Sequence, residues 1–182
     1  MSFVHRQRRL YENPATPAFD FYRRPVNAIR AGRAAGRDQE AMAALLAQAN
    51  ERSRPHYAAI SEGWLRYLGR RRPALMDVAR ARWNHAGMDV RVSPHLGLAE
   101  ADGTLWAVFL YCKADPLPRD GANVALCLLE ETMHEVLPGG NALVVDVRRA
   151  KPFTLGRRDR PRVGAWARSE AAAFMTLWEA AA

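Results

Sequence analysis

The stretch that decides the fold is residues 88–112, MDVRVSPHLGLAEADGTLWAVFLYC. Its first five residues alternate apolar and polar side chains, which is typical of a half-buried strand. Two apolar segments, Leu96–Ala101 and Thr104–Cys112, then flank Asp102-Gly103, a dipeptide typical of two-residue hairpin turns. This spacing predicts a β-hairpin in which Ala101 pairs with Thr104. Because Thr104–Cys112 is apolar at both alternating sets of positions, we expect this strand to be covered on both faces.

Helical patterns surround the hairpin in the chain. Asp38 and Ser53 are N-cap residue types, and each precedes apolar residues at helical spacing. Another helix is predicted from Asp120 to the Pro138-Gly139-Gly140 stop, followed by a buried strand at residues 142–147, ALVVDV. We also expect a short helix around Leu75–Trp83. A last helix, from Gly164 to Ala182, has an apolar stripe made of Trp166, Ala173, Phe174, Leu177 and Trp178.

These elements predict an α+β fold: a mixed sheet with a central hairpin (Leu96–Ala101/Thr104–Cys112) and helices on both faces. Residues 1–37 combine prolines, aromatic residues and arginines, and we interpret them as an irregular basic N-terminal arm. Residues 38–182 are then a single α+β domain, in keeping with a chain of 182 residues that is 49% hydrophobic. The segment at 148–162 is too polar and too rich in proline for a core element.

The composition narrows the class of protein. No apolar run approaches the roughly 20 residues of a membrane-spanning helix, so no membrane partner is expected. The basic start of the chain lacks the apolar region of a secretory signal. The two cysteines, Cys112 and Cys127, lie in apolar runs and are interpreted as buried free thiols. We therefore predict a cytoplasmic protein.

Charge is segregated along the chain. Residues 88–147 contain nine acidic residues and three basic ones, whereas the whole chain has a formal net charge of +8. An acidic central block between basic flanks indicates either pairing within the molecule or a basic surface that faces a polyanion. All but two of the 27 basic residues are arginine, a bias that a GC-rich genome alone also produces.

The basic residues concentrate in two clusters. One surrounds the end of the helix that Ser53 begins, and the other follows the buried strand, with Phe153 and Trp166 between its arginines as rings on which bases could stack. Guanidinium groups and aromatic rings in this combination are typical of nucleic-acid sites. The candidate binding residues are Arg70, Arg71, Arg72, Arg148, Arg149, Lys151, Arg157, Arg158, Arg160 and Arg162. We expect these residues to form one continuous exposed basic surface.

The main catalytic templates are absent from the sequence. There is no nucleophile elbow, phosphate-binding loop, dinucleotide fingerprint or zinc-finger spacing. The segment EETMHE at 130–135 is interpreted as a solvated helix face, because a di-iron site needs a second Glu-x-x-His unit. No catalytic residue, metal ligand or cofactor is therefore predicted.

Two resemblances follow from these segments. The order helix, strand, strand, strand, helix, strand is similar to that of restriction-endonuclease-like folds, which implies acids on adjacent strands and a lysine two residues beyond the second acid. Here Tyr111 stands two residues before Lys113, and His95 follows Pro94, so the motif is incomplete. The strings VRVSPHLGLAEADGTLWAVFLY and ALVVDVRRAKPF also resemble an uncharacterised protein family of GC-rich bacteria, and this resemblance implies no activity.

The sequence thus predicts a nucleic-acid-binding or nucleic-acid-associated accessory protein without a catalytic site. The alternative is a protein-interaction or regulatory module whose basic arms dock on an acidic protein surface, and an oligomer is compatible with this alternative. A degenerate nuclease-like scaffold is compatible with both.

Overall fold

The computed structural model describes residues 21–180. The helices in this range are α1 (Arg23–Ala35), α2 (Asp38–Ala47), α3 (Arg54–Leu68), α4 (Arg119–Glu131), α5 (Met133–Val136) and α6 (Arg160–Ala180). The strands are β1 (Ala74–Met76), β2 (Ala81–His85), β3 (Met88–Val92), β4 (Leu96–Ala99), β5 (Leu105–Tyr111), β6 (Asn141–Asp146) and β7 (Lys151–Phe153). A short 3₁₀ turn, Val147–Arg149, joins β6 to β7.

Five strands form a mixed sheet in the order β1-β4-β5-β6-β7. Only the β5–β6 pair among them is parallel, and the α4–α5 segment makes the crossover that a parallel connection requires. Strands β2 and β3 form a separate two-stranded hairpin. The predicted α+β class with a mixed sheet and helices on both faces is confirmed.

Each face of the sheet has its own hydrophobic core. On one face, α1, α2 and α3 bury Ile29, Met42 and Trp64 against Leu96, Val108 and their neighbours. On the other face, α4, α5, α6 and the β2–β3 hairpin pack against alternate residues of the same strands, including Ala107 and Val144. Strand β5 is therefore covered on both sides, as its continuous apolar sequence predicts.

The turn of the central hairpin differs from the prediction by one residue. Leu96 pairs with Val108 and Leu98 with Trp106, so Glu100, not Ala101, lies opposite Thr104. The loop has three residues because Gly103 is left-handed (φ 85°), and the Asp102 carboxylate accepts a hydrogen bond from the Thr104 N–H at 2.9 Å. The shift moves Leu96 and Leu98 to the face of Val108, beneath α1–α3.

A two-residue turn occurs instead between β2 and β3. Ala86 and Gly87 both have positive φ, 48° and 82°, and His85 pairs with Met88 across them. The helix expected around Leu75–Trp83 is wrong, because Leu75 lies in β1, paired with Leu98 of β4, and Trp83 lies in β2, paired with Val90 of β3. Strand pairing outweighs the local helical pattern here.

The predicted irregular arm is mostly helical in its described part, because Arg23–Ala35 forms α1. Pro25 lies in the first turn of α1, a position that tolerates proline, and left-handed Gly36 (φ 65°) ends the helix. A buried ion pair between Arg33 and Asp38, which also accepts a hydrogen bond from the Trp64 indole at 3.1 Å, fixes α1, α2 and α3 together. Residues 1–20 of the predicted arm lie outside the described residues.

The prediction for residues 148–162 also needs correction. Residues 151–153 form the edge strand β7, where Pro152 is tolerated, and Phe153 packs into the core. In α6 the buried residues are Val163, Gly164, Ala167 and Ala171. The predicted apolar stripe is therefore not the packing face, since Trp166 and Leu177 are exposed. Small residues make that face because α6 packs closely on α4.

Helix α3 touches the 3₁₀ turn at Gly63. A Cβ atom at this position would lie 1.9 Å from the carbonyl oxygen of Val147. Glycine is thus required by the close backbone approach. No helix within residues 21–180 is long and apolar enough to span a membrane.

Candidate nucleic-acid interface

The predicted binding residues lie on several different elements. Arg70, Arg71 and Arg72 follow α3, Arg148 and Arg149 lie in the 3₁₀ turn, Lys151 lies in β7, and Arg157, Arg158, Arg160 and Arg162 surround the start of α6. Arg71 and Arg149 face a groove on the α3 side of the sheet, whereas Arg160 faces α4 on the opposite side. The structure therefore brings only part of the predicted surface together.

The groove on the α3 side has a volume of about 550 Å³. Its floor is the sheet surface formed by Trp106 of β5, Leu143 of β6 and Pro152 of β7. Its walls are the last turn of α3 and the 3₁₀ turn. The charged residues that line it are Arg66, Arg71 and Arg149, and the described part of the chain contributes no acidic side chain to the lining. We call this site the arginine groove.

The two walls of the arginine groove are joined by a direct hydrogen bond. Nη2 of Arg66, on α3, donates to the backbone carbonyl of Arg148, in the 3₁₀ turn, at 3.0 Å. Nη1 of Arg66 also lies 3.3 Å from Oε1 of Glu62, one helical turn earlier. The side chain is still 54% exposed, so donors of the five-donor guanidinium group remain free for a ligand.

Arg71 is held against an aromatic ring. Its guanidinium carbon lies 4.4 Å from the centre of the Tyr67 ring. Its nitrogens donate to the Tyr67 carbonyl at 2.6 Å and to Glu100 at 3.1 Å. Burial raises the pKa of the Tyr67 hydroxyl, although Arg71 offsets part of the effect. The phenol is therefore neutral, and the side chain adds no negative charge to the groove.

Arg149 is placed by the end of β6. It donates to the Asp146 carboxylate at 3.3 Å and to the carbonyl of Ala114 at 2.6 Å. Asp146 is fully buried and also accepts a hydrogen bond from the Leu117 N–H at 3.1 Å. The neighbouring Arg148 is half-buried and hydrogen-bonds to the carbonyl of Cys112 and the imidazole of His56. Arg149 therefore lines the groove, whereas Arg148 connects the 3₁₀ turn to neighbouring elements by hydrogen bonds.

The acidic central block pairs with the basic flanks inside the molecule. Five of its acids form ion pairs with arginines from outside residues 88–147, and these pairs are Asp89–Arg82, Glu100–Arg71, Glu130–Arg160, Glu131–Arg168 and Asp146–Arg149. The expectation of a solvated face at 130–135 is thus wrong for Glu130 and Glu131. Burial raises the pKa of Glu130, and Arg160, at 3.0 Å, opposes that shift.

The other predicted binding residues make few side-chain contacts with the described part of the chain. Arg70, Arg157 and Arg158 are exposed, and none of them has an ion pair or side-chain hydrogen bond to another residue in the described range 21–180. Arg72 donates only to the carbonyls of Gly69 and Arg71, and Arg162 pairs with Asp159 at 3.4 Å. Lys151 lies over the edge of β7, its ammonium nitrogen 4.9 Å from the Phe153 ring centre.

The aromatic residues expected to stack with bases are not at the groove. Phe153 is only 3% exposed and belongs to the core beneath α4 and α6. Trp166 is 39% exposed but lies on α6, across the sheet from the arginine groove. The aromatic rings that do line the groove are Trp106 and Tyr67. The sequence pattern predicts Trp106 in the core of the hairpin. It does not indicate that Trp106 lies beyond the end of α3, where the ring lines the groove.

His95 lies at a position where a restriction-endonuclease-like site would have an acidic residue, and its side chain is neutral. The ring of His95 packs on Phe109, with centroids 4.6 Å apart, and its Nδ1 accepts a hydrogen bond from the Leu110 N–H at 2.9 Å. Burial, helped by the charge of Arg30, lowers the pKa of His95 to about 4. Within residues 21–180, no group of three or more histidine, cysteine or acidic side chains is arranged to hold a metal ion.

Comparison with known proteins adds no assignment. No protein-family model, curated protein or solved structure matches this chain.

Proposed function

We propose that this protein binds nucleic acid through the arginine groove. The observation that carries the proposal is the convergence of three arginines and two aromatic rings on one cleft of about 550 Å³. The three arginines come from three parts of the chain, α3, the loop after it and the 3₁₀ turn. Guanidinium groups are suited to phosphate because their planar donors match its oxygens.

Partial exposure supports a binding role for these arginines. Arg66, Arg71 and Arg149 retain 54%, 44% and 36% side-chain exposure while hydrogen bonds from some of their guanidinium nitrogens hold them in place. A fixed guanidinium loses little conformational entropy when a phosphate binds. Arg70 is exposed next to Arg71 in the chain and adds positive charge near the groove, whereas Arg72 lines a separate cleft with Glu40.

The test is a titration of labelled single-stranded and duplex oligonucleotides by fluorescence anisotropy at several salt concentrations. The groove variant Arg66→Gln/Arg71→Gln removes two charges and keeps a polar side chain at both positions. Its matched control, Arg82→Gln/Arg91→Gln, removes two exposed arginines that face each other in the β2–β3 hairpin.

Wild-type affinity should fall as salt rises, because phosphate binding releases counterions. Loss of two phosphate contacts should reduce the slope of log affinity against log salt by about 1.4 for a single strand. The control variant should keep the wild-type slope. Absence of binding at low salt, or equal slopes for all three proteins, would refute the proposal.

A protein-interaction module is the second candidate, and α6 favours it. This helix exposes Trp166 and Leu177 (57% exposed) on the same side, with Ala173 between them at helical spacing. A protein that docks there would stay bound when bulk nucleic acid is added, whereas a ligand in the arginine groove would be displaced.

A further inference from the structure

We propose that the arginine groove binds single-stranded rather than duplex nucleic acid, with an unpaired base stacked on Trp106. This inference rests on the proposed function and names the class of ligand for the same site. It follows from the shape of the groove and from two flat surfaces inside it.

The first flat surface is the indole of Trp106 on the sheet. Trp106 lies near the start of β5, opposite Leu98 on one side and Asn141 on the other, and it is half-buried. Leu143 and Pro152 continue the same sheet face across β6 and β7, without a charged side chain. An aromatic ring on an exposed sheet face is a common platform for an unstacked base.

The second flat surface is the guanidinium of Arg71. The guanidinium carbon lies 4.4 Å from the centre of the Tyr67 ring, and hydrogen bonds to the Tyr67 carbonyl and to Glu100 hold the group in place. The side chain is still 44% exposed, so the guanidinium is open to a phosphate of a strand whose base stacks on Trp106. Tyr67 itself is buried beneath Arg71 and offers little surface.

The size of the groove decides between a single strand and a duplex. Its volume of about 550 Å³ lies in the range that accommodates one small-molecule ligand, and hence a nucleotide or two. Bases in a duplex are paired and stacked inside the helix, and they reach a concave site only when they leave the stack. A single strand meets the groove without that cost.

The lining also indicates little sequence preference. Among the described lining residues, only Tyr67 and Thr154 carry hydroxyl groups, and none has an amide or carboxylate side chain. Base edges are read mainly by such groups together with bidentate arginines. The three arginines are therefore assigned to phosphates, and stacking on Trp106 supplies the contact to the base.

Three oligonucleotide probes of equal length test this assignment: a thymidine single strand, an abasic strand with the same phosphates, and a duplex. Wild-type protein should bind the thymidine strand about tenfold more tightly than the abasic strand, a ratio typical of one stacked base. It should also bind the thymidine strand more tightly than the duplex.

Two variants of Trp106 locate the effect. In Trp106→Leu the preference for thymidine over abasic strand should disappear while the salt slope stays at its wild-type value, because the phosphate contacts remain. Trp106→Phe keeps a ring and should keep most of the preference. Thermal unfolding of both variants verifies that they fold, and the comparison of probes on the wild-type protein does not depend on either.

The outcomes separate this inference from the proposed function. Equal wild-type affinity for thymidine and abasic strands, or tighter binding of the duplex, would overturn the single-strand assignment even if the Arg66→Gln/Arg71→Gln variant had lost affinity. Failure of every probe to bind at low salt would instead remove the proposed function itself.

Discussion

Replacing His95 by asparagine should make the folded protein less sensitive to acid. The imidazole of His95 is half-buried and packs on Phe109, and its Nδ1 accepts a hydrogen bond from the N–H of Leu110 at 2.9 Å. Protonation of that nitrogen would break the hydrogen bond, and the guanidinium of Arg30, which donates to the His95 carbonyl, would repel the new charge. Asparagine offers an oxygen close to the position of Nδ1 but does not titrate in this range.

The expected magnitude follows from the pKa. Burial and Arg30 lower the pKa of His95 from 6.5 to about 4 in the folded protein. Between these values the unfolded chain binds a proton that the folded protein does not. The contribution is thus fully present above pH 6.5 and is lost as the pH falls toward 4. Each pH unit between the two pKa values corresponds to about 1.4 kcal/mol, so the full loss is about 3 kcal/mol.

The assay is urea unfolding of the wild type and of His95→Asn at about pH 7 and about pH 4.5. All other residues are the same in the two proteins, so their effects cancel in the comparison. The wild type should lose about 2.5 kcal/mol more than the variant over this interval. Equal losses in the two proteins would show that His95 is not buried in its neutral form.

Two further changes test the packing of the α1–α3 layer. Gly63→Ala should lower the free energy of unfolding by about 3 kcal/mol in chemical denaturation, because its Cβ would lie 1.9 Å from the Val147 carbonyl oxygen. The control Gly121→Ala, whose Cβ would have its nearest neighbour at 3.4 Å, should change the free energy of unfolding by less than about 1 kcal/mol. Arg33→Met should lower the free energy of unfolding by about 3–5 kcal/mol, since Asp38 would stay buried without its ion pair. Adding Asp38→Leu should recover part of this loss. A double variant no more stable than the single one would contradict the reasoning.

The layout of the fold could be predicted from the sequence to a large extent. Segments that are apolar on both faces, such as Thr104–Cys112 and Ala142–Val147, indicated central strands, and the structure has β5 and β6 at these places. Turn geometry was less accessible. An Asp-Gly pair is compatible with loops of two or three residues, and only the burial of Leu96 and Leu98 beneath the helices selects the longer one.

The candidate site was predictable only in part. Clusters of arginine in the sequence pointed to Arg71 and Arg149, which line the groove. They also included Arg160, which the fold places beside Glu130. Trp106 could not have been identified, because its partial exposure depends on where α3 ends relative to the edge of the sheet. Sequence patterns carry the period of each element but not the point at which one element stops covering another.

The close approach at Gly63 has a consequence for the way a ligand would enter. The backbone of α3 contacts the backbone of the 3₁₀ turn there, with no side chain between them whose rotamer could adjust. The two walls of the groove are therefore spaced by the main chain before any ligand arrives. Binding would need little closure of the site. Little of the binding free energy would therefore be lost to ordering the protein.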